Sequence, residues 1–143
     1  MYDDSLTEAA TSHVGTYGER IAVSFLKSKG YRPLVRNYKA EWGDRKDQRG
    51  EIDLVCRHDQ TLVFVEVKTR DASTLMRPAE AVNAHKKRKM IRTAYQYVRE
   101  LVRPPEHARF DIVEVYLEAM KPPRCTCIPS AFGVDQILRY RRV

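Results

Sequence analysis

Three charged residues, Asp53, Glu66 and Lys68, sit inside the two apolar runs of residues 50–70: Gly-Glu-Ile-Asp-Leu-Val-Cys-Arg-His-Asp-Gln-Thr-Leu-Val-Phe-Val-Glu-Val-Lys-Thr-Arg. A charge among apolar neighbours is costly unless it is paired, hydrogen-bonded or bound to metal. Residues 52–56 and 62–69 read as strands, joined by a polar turn at 57–60. With the turn centred between Asp59 and Gln60, antiparallel pairing sets Asp53 across from Glu66 and Glu51 across from Lys68. The two-residue period then places Glu66 and Lys68 on one face. Facing carboxylates repel unless a cation lies between them.

That pattern suits a hard divalent cation such as Mg²⁺, which takes carboxylate and carbonyl oxygens. A lysine two residues beyond a ligand can orient a water or neutralise charge on a phosphoryl group. The competing reading is structural: Glu51 or Glu66 pairs with Lys68 while Asp53 caps a turn. Such ladders favour solvated faces, whereas Ile52, Leu54, Val55, Val63, Phe64, Val65 and Val67 make both faces read as buried. Cys125 and Cys127, with Cys56 and His58, could supply four zinc ligands, but Cys-x-Cys with a distant cysteine is not the usual paired spacing. No glycine-rich phosphate loop is present, which argues against nucleoside triphosphate chemistry.

The elements that must position these residues follow from periodicity. Tyr17, Ile21 and Phe25, with Ala22 and Leu26, predict a helix over 14–29 that Gly30 ends. Glu19 borders its buried face, but spacing alone favours the plainer reading of a surface carboxylate near a helix start, where the dipole stabilises it. Residues 31–37 read as a strand, and 38–49, with the single tryptophan Trp42, as an exposed loop. After a loop at 71–77 and a turn or short helical piece at 78–82, Asn83 is a good N-cap for a helix over 84–102. Its first turns carry His85, Lys86, Lys87, Arg88, Lys89 and Arg92, at the end where cations oppose the dipole. A charge run usually means a solvated face, and this placement strengthens the case for a phosphate-facing role. Residues 109–117 predict another strand, enclosing Asp111, and 125–128 a short extended segment before a basic end at Arg139, Arg141 and Arg142. The order is αβββαβ, an α/β fold with a central mixed β-sheet flanked by helices.

The chain has 143 residues, enough for one domain with a real core, expected over 13–143 after a flexible N-terminus at 1–12. A net charge of +7 predicts attraction to polyanions, nucleic acid first. Three cysteines are too few for a disulfide framework. Met1-Tyr2-Asp3-Asp4 is unlike a signal peptide, and no apolar run approaches the ~18 residues of a membrane helix. A cytoplasmic protein with no membrane partner is expected.

Several segments resemble the YraN-like family of the PD-(D/E)xK nuclease superfamily, related to Holliday junction resolvases. They are Gly15-Thr-Tyr-Gly-Glu19 with Ala22, Gly30-Tyr31, Arg36-Asn37, Gly50-Glu-Ile-Asp-Leu54, Val63-Phe-Val-Glu-Val-Lys-Thr-Arg70, the run from Lys86 to Ala94, and Arg109-Phe-Asp-Ile-Val113. The resemblance implies a restriction-endonuclease-like core and metal-assisted hydrolysis of DNA phosphodiesters. Asp53 and Glu66, with the Val67 carbonyl, would hold Mg²⁺ or Mn²⁺, and Lys68 would orient or activate the water. Glu19 would stand near the metal, which reverses its surface reading. Lys86, Lys87, Lys89, Arg92 and Arg70 would contact nucleic acid, DNA foremost. Against the family's usual spacing, residues 41–48 read as an insertion, and the Gln-x-x-x-Tyr signature of RecB-like relatives is absent, since Glu100 follows Gln96. A homodimer and a DNA-processing protein partner are implied only by analogy with resolvases. The alternative function is a nucleic-acid-binding protein of nuclease-like fold that is inactive alone or needs a partner.

Overall fold

A computed structural model describes residues 13–71, 84–103 and 105–132. Five strands form one sheet: β1 (Arg32–Glu41), β2 (Arg49–His58), β3 (Thr61–Arg70), β4 (His107–Tyr116) and β5 (Arg124–Phe132), side by side in that order. β3 and β4 run parallel and every other neighbouring pair runs antiparallel. Helix α1 (His13–Ser28) precedes β1, and α2 (Ala84–Arg99) lies between β3 and β4, as the parallel pairing requires. This is the expected α/β architecture, a mixed sheet with a helix on each face, consistent with a restriction-endonuclease-like core.

Alternation along β3 explains the two layers. Val63 and Val65, with Leu54, Cys56, Val113 and Val115, pack beneath Ala22 and Leu26 of α1. Leu62 and Phe64, with Ile52, Val55, Ala108 and Phe110, pack against Met90, Ala94 and Val98 of α2. Each large side chain so buried contributes about 1.5–3 kcal/mol. Gly30 closes α1 with φ 87°, while its N–H reaches the Lys27 carbonyl and that of Tyr31 reaches Leu26.

Three expectations change. The first strand does not stop at residue 37: β1 pairs with β2 as far as Glu41 and Arg49, so only 42–48 connect them. Exposed Lys39 and Glu41 flank buried Ala40, the pattern of a half-solvated outer strand, and their charges disguise it as a loop. The 42–48 stretch, read as part of an exposed loop, is a hairpin tip closed by a 3-10 turn at Lys46–Gln48 and by the Trp42 N–H donating to the Gln48 carbonyl at 2.8 Å. The short extended segment at 125–128 is part of the longer strand β5, which pairs with β4. The expected flexible N-terminus, the 78–82 piece, the Asn83 cap and the basic C-terminal arginines lie outside the described residues. No described helix is long and apolar enough to cross a membrane.

Candidate active site

The β2–β3 register matches the sequence expectation, with His58 opposite Thr61 and Leu54 opposite Val65. The ladder then stops one pair short of Asp53 and Glu66. Beyond it the Asp53 side chain takes over, its Oδ2 accepting the Val67 N–H at 2.8 Å. β1 and β2 are both irregular at this level. Asn37 has φ 53°, and the β1–β2 pairing passes from Arg36–Leu54 to Tyr38–Ile52 around it. Val35 and Tyr38, three residues apart, both face α2, as do Ile52 and Val55. Strict alternation would put members of each pair on opposite faces, so the backbone kinks at Asn37 and Asp53.

The kink opens a fork between β2 and β3, and the carboxylates gather there. Within a strand, a residue's N–H and C=O point to the same side. The Val67 N–H points at Asp53 of β2, so the Val67 carbonyl also faces the fork. Glu66, Lys68 and Arg70 alternate with it and lie on the α2 face. Glu19 arrives from α1. A Cβ on Gly18 would run into the Thr69 side chain, so α1 crosses β3 at close range there and delivers Glu19 beside the fork. Arg36 of β1 holds the Glu19 carboxylate at 3.4 Å. On the other face a Cβ at Gly50 would meet Thr93, so α2 also approaches β2 closely.

The electrostatics oppose a negative charge on Asp53. The Asp53 carboxyl is pushed up to about 8, first by burial and next by the Glu66 charge, with Glu19 and Glu51 adding to it and the Val67 N–H acting against it. Glu19 is also raised, by burial first, with Arg36 opposing. Glu66 has a cation already: the Lys86 ammonium, from the first turn of α2, donates to its Oε1 at 2.7 Å.

The sequence-predicted site residues therefore divide. Glu19, Asp53, Glu66 and the Val67 carbonyl meet at the fork, with Lys68 on the face of Glu66. Lys86 belongs to the same site through Glu66, not to an outer phosphate-binding surface alone. Arg70 is turned toward Glu114 of β4 at 3.6 Å and is only 15% exposed, which draws it away from the surface. Lys87 and Lys89 are half-buried on α2 and Arg92 is exposed. Glu51 does not face Lys68; its register partner is Lys39 of β1, and Lys68 aligns with Glu114 of β4. The structural ladder is thus redistributed: Glu66 pairs with Lys86, and Asp53 caps the Val67 amide. Among the described residues no three His, Cys, Asp or Glu side chains cluster tightly enough to cage a metal. The oxygens at the fork that could hold a hard cation are the Asp53 and Glu66 carboxylates and the Val67 carbonyl.

Sequence reasoning missed the role of Arg36. Its place in the Arg36-Asn37 pair was visible, but not that it pins Glu19. It also passed over a buried network at the far end of the α1 face. Asp111 accepts from Tyr31 Oη (2.8 Å), Arg109 Nε (3.0 Å) and the Ser130 N–H (3.0 Å), while Arg109 also reaches His58 Nδ1 at 3.0 Å. His58 stacks on Tyr31 with ring centres 4.1 Å apart. Cys127 lies 4.0 Å from Asp111, and Cys56 is buried with its thiol pushed up to about 12 by burial. These groups are committed to one another.

The model of uncharacterised protein family UPF0102 matches residues 18–115, which span every element of the fork from Gly18 to β4. The chain belongs to UPF0102. A UPF0102 protein of Caldanaerobacter subterraneus subsp. tengcongensis is 41% identical over 108 residues, covering 76% of this chain and 83% of that protein. One from Symbiobacterium thermophilum is 41% identical over 119 residues, covering 83% and 95%. One from Chlorobium limicola is 35% identical over 122 residues, covering 85% and 89%. These UPF0102 relatives align over most of their own lengths, so the likeness concerns the domain as a whole.

Proposed function

We propose that this UPF0102 protein is a metal-dependent nuclease that hydrolyses phosphodiester bonds in DNA, with branched or otherwise structured DNA as the candidate substrate. The observation that carries the reading is the fork at Asp53. Two strands part where two carboxylates meet, and burial together with neighbouring acids opposes the ionisation of Asp53. Such a site lowers its own stability unless a cation enters. Asp53, Glu66 and the Val67 carbonyl would hold Mg²⁺ or Mn²⁺, which would polarise the phosphodiester and lower the pKa of a bound water. Lys68, on the face of Glu66, would orient the attacking water and offset charge on the phosphoryl oxygens. Glu19, held by Arg36, would fix the position of a further water or ligand at the fork. Lys87, Lys89 and Arg92 would contact backbone phosphates, giving salt-dependent and weakly sequence-selective binding.

Cleavage of duplex, flap and four-way-junction DNA with Mg²⁺ or Mn²⁺ tests the proposal. Activity lost in Asp53→Ala, Glu66→Ala and Lys68→Ala supports it; no cutting of any substrate with either metal refutes it. One observation favours a second reading. Lys86 already supplies a positive charge to Glu66, as expected of a nucleic-acid-binding module whose acidic pair is neutralised internally. That module would bind DNA at low salt in all three variants and cut nothing without a partner.

A further inference from the structure

The hairpin tip at 42–48 is not a loose loop, because its tryptophan is docked on α2. The Arg92 guanidinium lies 5.7 Å from the Trp42 ring centre and 6.0 Å from that of Tyr95, and Arg99 lies 5.8 Å from Tyr95 on its next turn. Trp42, Arg92, Tyr95 and Arg99 thus form an alternating line of rings and cations along one side of the helix. Arg92 and Arg99 are exposed, while Trp42 and Tyr95 are half-buried. All three separations stand at the outer limit of about 6 Å for a cation over a ring, so the guanidinium groups are held weakly. The line also starts near the fork. Arg92 is six residues beyond Lys86, about 9 Å along the helix axis, or roughly three nucleotide spacings of a strand.

We propose that Trp42 and Tyr95 are a stacking platform for a single-stranded segment of nucleic acid leaving the fork. In the occupied state Arg92 and Arg99 turn from the rings to the strand's phosphates, and bases take their places on the rings. Charge complementarity argues for this occupant: the platform lies on the helix that carries Lys86, Lys87, Arg88 and Lys89. Base-aromatic stacking beside a basic track is how single strands are held without sequence preference. The inference rests on nucleic acid being the ligand of the adjoining site and names the form it takes there. It would give the protein a preference for junctions between paired and single-stranded DNA.

Trp42 is the only tryptophan, so its fluorescence reports directly on the platform. Wild-type protein in EDTA, where no metal supports cleavage, is titrated with an oligothymidylate and with a blunt duplex of equal length. The expected result is quenching by the single strand and little by the duplex. Trp42→Ala should weaken single-strand binding about tenfold, as loss of one stacked base predicts, and leave duplex binding within about twofold. Trp42→Phe should keep most of the affinity. Equal single-strand affinity in Trp42→Ala, with only its thermal stability lowered, would make Trp42 a clip between hairpin and helix and overturn the proposal. Binding of duplex without the single strand would also overturn it, while leaving the nuclease reading intact. Failure to bind either DNA at low salt would remove both.

Discussion

Replacing Asp53 by asparagine isolates the strain stored at the fork. Asparagine keeps an oxygen to accept the Val67 N–H and removes the charge that burial and Glu66 oppose. The folded carboxyl titrates at about 8, against about 3.9 for an unfolded aspartate. Because the folded pKa is the higher one, the folded state binds the proton more tightly. The resulting stabilisation is complete below about pH 4 and lost as pH rises through about 8. Coupling to Glu66, which Lys86 partly neutralises, limits the loss to about 2–5 kcal/mol. Urea denaturation in EDTA from about pH 5 to about pH 9 measures it. Wild-type stability should fall across that window beyond the fall in Asp53→Asn, whose curve should be flatter by that amount. Mg²⁺ should then restore the wild type at high pH and leave Asp53→Asn almost unchanged, since a ligand stabilises only the state that binds it. Parallel pH curves for the two proteins would refute the reasoning, because Asp53 would then carry no unfavourable charge.

Other contacts give further expectations. Lys86→Gln removes the cation that competes for Glu66, and because Lys86 is 48% exposed the gain is screened; Mn²⁺ affinity by calorimetry should tighten about threefold to tenfold, and a weaker affinity would instead make Lys86 a support of the metal site. Asp111→Asn leaves Arg109 and Tyr31 around a neutral group in a buried setting and should cost about 3–5 kcal/mol in chemical denaturation, with metal affinity at the fork unchanged. Gly18→Ala forces a methyl group against Thr69 and should cost about 1–3 kcal/mol, largely recovered in the Gly18→Ala, Thr69→Ala double variant; additive losses would contradict the close approach of α1 to β3.

Local pattern was enough to read the hairpin. The two-residue period and the turn at Asp59 and Gln60 set a register that matches the sheet as far as Leu54 and Val65. Gly30 ended the first helix by the same local logic, through a conformation that glycine adopts readily. Contacts between distant elements were not legible. Lys86 is 20 residues from Glu66, and nothing in either neighbourhood specifies that α2 turns its first-turn lysine onto β3. Residues 38–41 were lost for another reason: a strand with one solvated face carries charges that resemble those of a loop.

The deeper gap concerns the way the site is made. Perfect strand pairing would have set Asp53 opposite Glu66 and spent the Val67 amide and carbonyl on Ile52 of β2, and the period of two would have left both acidic side chains facing a helix. A carboxylate in that position would need a partner from the helix, as Glu66 finds in Lys86. The kink at Asn37 and Asp53 changes the outcome. Asp53 turns sideways to cap the Val67 amide, and the Val67 carbonyl shares the edge that has lost its strand partner. A backbone oxygen is thereby brought beside two carboxylates, a combination that regular pairing forbids because each inner-strand carbonyl is spent on its neighbour. Asn37 of β1, beside Asp53, has a positive φ, which asparagine accepts at little cost. The Arg36-Asn37 pair therefore serves the site through Glu19, with Arg36 holding its carboxylate at 3.4 Å and the Asn37 side chain hydrogen-bonding to it.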